Sequence, residues 1–202
     1  LSLQSKFSNS SEAPSVDINE EFYIYILNGQ IYSKNLPGGI ESKISIEKKE
    51  TKNSFINISI LNSNQIDLDL SGIKNITIGL YIESNSGLSN SFLQINAADT
   101  DGVLIKRYFK VDEGSLINHY TNINVENDSS ITMSDTNNNN MGHILDFVDV
   151  SVAKNAHYYA LNQTYLSQNS RFQNRVTING EDSDATLHGL AINEVKQSCF
   201  YN

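Results

Sequence analysis

A chain of 202 residues with 39% hydrophobic and 18% charged side chains is long enough to bury a core as one domain and too apolar to belong with disordered chains. Its net charge of −9 argues against nucleic acid or an anionic membrane surface as partner, since both are held through clustered Lys and Arg. The single cysteine, Cys199, cannot form an internal disulfide, and no apolar run approaches the ~20 residues of a spanning helix.

Residues 1–20 are Ser-rich and read as a flexible or loosely docked leader. Glu21 to Leu27 (EFYIYIL) is the first strong strand. Asn28-Gly29 then separates it from Gln30 to Ser33, and Asn-Gly between β-rich runs predicts a hairpin because both residues tolerate positive φ. The stretch LPGGI (Leu36 to Ile40) is expected to close this module as a turn, and the charged stretch Glu41 to Lys52 follows it. Residues 21–50 are taken as an N-terminal hairpin module and 51–202 as the core.

From residue 51 onward, short runs of alternating apolar and polar residues recur between corners of Asn, Asp, Ser and Gly. They are Phe55 to Leu61, Ile66 to Leu70, Ile76 to Ile82, Ser91 to Asn96, Val103 to Val111, Leu116 to Val125, Ser130 to Ser134, His143 to Val152 and His157 to Asn162. The last two are Arg175 to Asn179 and Ala185 to Ile192, on either side of an acidic reversal at Gly180. Helical periodicity is close to absent. Turn signals every ~8 to 12 residues fit a sandwich, a barrel or a β-solenoid. After the first hairpin no tight two-residue turn of Asn-Gly type joins these runs, so antiparallel pairing has few starting points, and Asn at stacked corners can bond amide to amide from one coil to the next. Both features favour a right-handed parallel β-helix with a small N-terminal hairpin, although no repeat of fixed length is visible.

Several segments, in order, resemble one family. EFYIYILNGQIYSKNLPGGI, with Asn28 and Gly29 at its turn, is similar to the opening segment of the SufB/SufD family of iron–sulfur cluster assembly proteins. Val111 to Tyr120 (VDEGSLINHY), containing Gly114, resembles that family's Val-x-Glu-Gly-Ala strand pair, and Val150 to Ala156 resembles its Val-x-Val-Gly-x-Asn-Ala corner. Gly180-Glu181 followed by Leu187, Gly189 and Leu190 is similar to its Gly-Glu-x-Ala-x-x-x-Leu-x-Gly-Leu coil, with Arg171 and Arg175 where basic residues stand. The SufD side of the family fits best.

The resemblance implies a cytoplasmic β-helix that pairs with a SufB-like chain and, through a C-terminal helical region, with the ATPase SufC. It also implies a cluster that is at most transient and shared with the partner, with no cofactor bound by this chain alone. Three departures stand out: Phe172 in place of an Asn, Asp182 in place of a Gly and Ser183 in place of an Ala. The sequence is also expected to stop short of the family's Cys-Ser-His-Gly-Ala motif and SufC-docking helices, as a truncated, partner-dependent chain would.

The residues themselves supply no catalytic or metal-binding constellation. His119, His143, His157 and His188 show no metal-site spacing, and each is expected to be a surface or half-buried strand histidine. Asp182, Asp184 and His188 form the densest group of donors, on a turn where acids are favoured for bonding the local backbone. Asp67 and Asp69 share one strand face, expected to be solvated. Cys199 has no neighbouring base to activate it and reads as structural, so it and His188 are the two residual candidates for chemistry. Two functions from different classes emerge: a non-enzymatic scaffold for cluster assembly, or a surface or secreted solenoid that binds or cleaves polysaccharide, with Tyr158, Tyr159 and Tyr165 as stacking residues.

Overall fold

The computed structural model describes residues 17–41, 44–53, 58–138, 141–166, 169–193 and 198–201. Almost every element is a strand: β1 (Phe22–Leu27), β2 (Gln30–Asn35), β3 (Ile44–Asn53), β4 (Ile58–Asp69), β5 (Lys74–Ser84), β6 (Leu88–Ala97) and β7 (Asp101–Val111). They continue with β8 (Leu116–Val125), β9 (Ser130–Asn138), β10 (His143–Val152), β11 (His157–Tyr165), β12 (Asn169–Ile178), β13 (Asp184–Ile192) and β14 (Ser198–Tyr201). One helical turn, α1 (Gly38–Glu41), replaces the expected plain turn, with the Ile40 amide donating to the Pro37 carbonyl.

From β4 on, consecutive strands alternate between two sheets. The first runs β13-β11-β9-β7-β5-β1-β2 and the second β14-β12-β10-β8-β6-β4-β3. Within each sheet, β5 through β14 pair parallel, so the chain climbs one coil for every two strands, which makes it a parallel β-solenoid. The number of residues per coil varies: His143 lies beside Asn169, 26 residues on, and Asn169 beside Ser198, 29 on, with the other consecutive parallel rungs between these values. That variation is why no fixed repeat is visible in the sequence. At the N-terminal end both sheets finish in an antiparallel pair. The β1–β2 hairpin forms on Asn28-Gly29, with β1 also parallel to β5, and β3 pairs with β4. The charged stretch after residue 41 is therefore a strand, and the runs at Phe55 to Leu61 and Ile66 to Leu70 belong to one long β4, apart from 54–57, which lie outside the described residues. The Lys- and Glu-rich composition of β3 hid it, since period-2 alternation there is not apolar against polar.

The period of two sorts side chains. Ile76, Ile78, Leu80 and Ile82 on β5 sit beside Val103, Ile105, Arg107 and Phe109 on β7, and all of these face the space between the sheets. There they meet Ile117, Ile123 and Val125 from β8 and Val148, Val150 and Val152 from β10 in one continuous core. At the corners where the chain passes from the second sheet to the first, Gly72, Asp99, Asp128, Asn155 and Asp182 stack one above another in the left-handed conformation, with φ of 78°, 49°, 56°, 53° and 56°. Gly, Asn and Asp are the residues that enter this region most readily, so Asp182 can stand where the related motif has Gly. Amide-to-amide bonds between rungs occur within strands and not at the corners: Asn118 on β8 donates to Asn90 on β6 at 3.0 Å and Asn124 to Asn96 at 3.1 Å, whereas at the corner Asn155 donates to the Asp128 carboxylate at 2.9 Å.

Candidate functional site: a buried charged centre and an open last coil

The most unusual feature lies at the middle of the core. In β7 (DGVLIKRYFKV), Lys106 and Lys110 fall on the outward parity, whereas Arg107 falls on the inward parity of Val103, Ile105, Phe109 and Val111. Asp135 on β9 shares the parity of Ile131 and Met133, and Asp146 on β10 that of Ile144, Val148 and Val150. Arg107 is fully buried, and its guanidinium grips both carboxylates. Nε and Nη2 donate to Asp135 at 2.7 and 2.6 Å, and Nη1 and Nη2 donate to Asp146 at 3.0 and 2.7 Å. Nη1 also donates to Thr121 Oγ1 at 3.1 Å, and Asn162 Nδ2 donates to Asp135 at 3.1 Å. The planar fork of arginine suits such bidentate contacts, and a lysine could not make them. The Phe109 ring lies 5.2 Å from the guanidinium carbon.

His119, on the facing strand β8, extends the network. It is completely buried, with Nδ1 2.7 Å from Ser91 Oγ and Nε2 3.0 Å from Thr121 Oγ1. Thr121 Oγ1 accepts from Arg107, and the two His119 ring nitrogens bond the Ser91 and Thr121 hydroxyls, one nitrogen as donor and the other as acceptor. A neutral imidazole satisfies this pattern. Burial, and then the positive charge of Arg107, hold the His119 pKa well below its ordinary value. This histidine corrects the expectation of four surface or half-buried histidines; His143, His157 and His188 are exposed.

One arginine against two aspartates leaves the centre short of a positive charge. Burial, opposed by Arg107 and reinforced by Asp135, pushes the Asp146 carboxyl up to about 6. Burial alone would lower the Arg107 pKa, but the two carboxylates beside it overcome that and raise it. A buried ion triad is costly to assemble and contributes little net stability, yet removing one partner strands the others. The centre is sealed, since Arg107, His119 and Asp146 are at most 1% exposed, and no substrate reaches it in this conformation.

The sites read from the sequence have different surroundings. Gly29 and Gly114 take positive φ, 80° and 76°, in turns. Gly180 is packed so closely that an added Cβ would lie 2.2 Å from the Lys154 backbone nitrogen. Phe172, the departure from the related motif, is 1% exposed and sits edge-on to Phe109, with centroids 6.1 Å apart. It therefore fills core volume. Arg175 makes a bidentate ion pair with Asp149, and Arg171 donates to Gln173 at 3.2 Å. Asp184 is bonded to His157 on the neighbouring rung, and His188 lies against Tyr159, so the donors of the last turn are not gathered into one site. Among the described residues no three His, Cys, Asp or Glu side chains converge as metal ligands. Cys199 lies beside Ser170, partly buried against the core. Of the three tyrosines, Tyr158 is core and Tyr159 is exposed. Asp67 is partly exposed and bonded to Ser45 and Gln65.

At the other end of the molecule, β13 and β14 are the outermost strands of their sheets among the described residues. On β13 the inward-facing Leu187 is 46% exposed; Ile178, inward on β12, and Leu190, Ile192 and Phe200, which continue outward columns, are similarly open. Among the described residues no further strand pairs with β13 or β14, and a sheet edge that carries exposed apolar side chains is a template for another chain.

Fold and site together define a class: a parallel β-solenoid whose polar centre is locked away from solvent and whose exposed chemistry lies on sheet faces and an open edge. Residues 81–201, more than half of the chain, match the family described as SUF system FeS cluster assembly, SufBD core domain, and the chain belongs to that family. Its role therefore lies in iron–sulfur cluster assembly. Neither the curated proteins nor the solved structures contain a match. Among the described residues no helix is long and apolar enough to cross a membrane.

Sequence reasoning missed Arg107, Asp135, Asp146, Thr121 and Asn162. The signal was parity: each charged or polar side chain occupies the alternate position that its own strand reserves for apolar residues.

Proposed function

We propose that this chain is a non-catalytic scaffold subunit of an iron–sulfur cluster assembly complex in the cytoplasm, pairing with a SufB-like chain and, in the same complex, with a SufC-like ATPase. What supports this reading is the family match over residues 81–201 on a solenoid whose ionisable centre is sealed from solvent. The family works in complexes of SufB, SufC and SufD type. In this reading the SufB-like chain covers the exposed edge at β13 and β14, burying Leu187, Leu190 and Phe200, and the cluster is cargo, held transiently and shared with that partner. Exposed apolar side chains at the outermost described strands are the features by which strand-to-strand association gains area.

Co-expression of the full-length gene product with the SufB-like and SufC-like chains of the same source tests the role. A complex that survives size-exclusion chromatography is the expected result. Failure of the SufB-like chain to associate would remove the scaffold reading.

A further inference from the structure

A second feature lies on the outer face of the first sheet, away from the β13–β14 edge. Tyr25, Tyr81 and Tyr108 occupy successive rungs of one outward column, and the Tyr81 and Tyr108 rings stack with centroids 4.8 Å apart and 14° between planes. The next residue in the column is Thr136, which is too short to continue the stack. The second face of Tyr108 therefore opens into a cleft of about 440 Å³ that Thr136, Asn138, Asp17, Asp112 and Lys110 also line. Clefts of this size accommodate small ligands or single side chains.

The electrostatics of the cleft are directional. Both tyrosine hydroxyls donate to one carboxylate, Glu20, at 2.7 Å from Tyr108, and Lys106 Nζ lies 3.3 Å from the same group. A phenol that donates to a carboxylate carries more electron density on its ring, and the negative face of an aromatic ring attracts cations. Burial and then the Glu20 bond raise the Tyr108 pKa, so the phenol stays neutral and bound. Lys110 is the one cation lining the cleft among the described residues, and its ammonium lies 4.0 Å from the buried Glu83 carboxylate on the adjacent strand. Asp17 and Asp112 supply the remaining charge.

The geometry points to this cleft as a binding site for an organic cation, a guanidinium or alkylammonium group seated on the open face of Tyr108 and flanked by Asp17 and Asp112. The two sources of that chemistry are an arginine or lysine side chain of a peptide and a free polyamine.

The test uses the whole chain and three probes in ligand-observed NMR: N-acetyl-arginine amide, its neutral isostere N-acetyl-citrulline amide, and spermidine. Binding of the arginine amide or spermidine, with upfield ring-current shifts of the methylenes next to the charge, upholds the site. The tighter of the two identifies a peptide or a polyamine as the source. Tyr108→Leu should abolish the ring-current shift, and Asp112→Asn and Asp17→Asn should each weaken binding roughly three- to tenfold. Circular dichroism of each variant establishes that it is folded, and the two Asn variants carry the test if Tyr108→Leu is not. Citrulline amide binding as tightly as arginine amide, or cation binding that neither Asn variant changes, would overturn the assignment.

Discussion

The middle coils and the last coil use the same inward positions in opposite ways. Along one column of the first sheet the residues are Arg107, Asp135, Asn162 and Gly189. The first two are a fully desolvated ion pair, the third is a buried amide bonded to it, and the last is an exposed glycine. On the facing sheet the column runs His119, Asp146 and Phe172, all buried. A rung above and a rung below make the difference: where both exist, charge can be buried because hydrogen bonds answer it from three strands, and where one side is open, the same positions hold small or apolar residues that can be covered later. The middle coils thus have a rung on either side, and beside the last described coil no further rung stands among the described residues.

The comparison breaks most sharply at Arg107. Arg107→Ala leaves Asp135 and Asp146 buried without a counter-charge and is expected to cost about 3–5 kcal/mol in urea unfolding. Replacing all three charged residues together, as Arg107→Met, Asp135→Leu and Asp146→Leu, should restore much of that loss, because well-packed apolar groups of similar volume stand in for buried ion clusters. If the triple variant is as unstable as the single one, the penalty comes from packing and not from stranded charge.

Phe172→Ala comes next. The ring is 1% exposed and borders both regions, so its loss is expected to cost roughly 3 kcal/mol by cavity formation. Gly180→Ala should cost about 1–3 kcal/mol, because the new methyl meets the Lys154 backbone, which cannot move without shifting the corner. Gly38→Ala, where nothing lies within 4 Å, is the matching control and should change stability by less than about 1 kcal/mol.

The pH dependence has a worked sign. The folded Asp146 pKa of about 6 is above the ordinary aspartate value of 3.8, so the folded state binds more protons in that window, and this group's contribution falls as pH rises from about 4 to about 6. His119 acts in reverse. Its folded pKa lies well below 6.5, so the unfolded state takes up the proton first and stability is lost as pH falls below that value. The two oppose each other in the wild-type chain. Asp146→Asn removes one side, and its stability should decline more steeply on acidification from pH 6.5 to 4.5 than that of the parent. Parallel profiles would contradict the assignment of charge at the centre. The smallest effect is expected at the open end: Leu190→Ser should alter unfolding by less than about 0.5 kcal/mol, since the side chain is already half exposed.

Much of the fold was legible because a solenoid strand states its own parity. His143 to Val152 and Leu116 to Val125 were bounded as observed, and the Asn28-Gly29 hairpin followed from backbone freedom alone. Coil length was not legible, since corners of different length conceal a rise that is regular only in space. β3 was hidden by its charged composition. The buried centre escaped for another reason: a charged residue in a strand is ordinarily assigned to solvent, and only its phase against Val103, Ile105 and Phe109 shows that Arg107 points inward. The partners on other strands, Asp135, Asp146 and Thr121, meet it only once the register is known. At the last turn, spacing drew Asp182, Asp184 and His188 together, whereas the ladder joins Asp184 to His157.

In the proposed role the β13–β14 edge receives a SufB-like partner while the middle coils keep the structure they have without it. Amide hydrogen exchange of the full-length gene product, alone and with that partner, measures this most directly. The account predicts new protection concentrated in residues 184–192 and 198–201, with Asp101 to Val125 already protected in the free chain. Protection that appears in the middle coils instead, or no change at either strand in a complex that has formed, would contradict it.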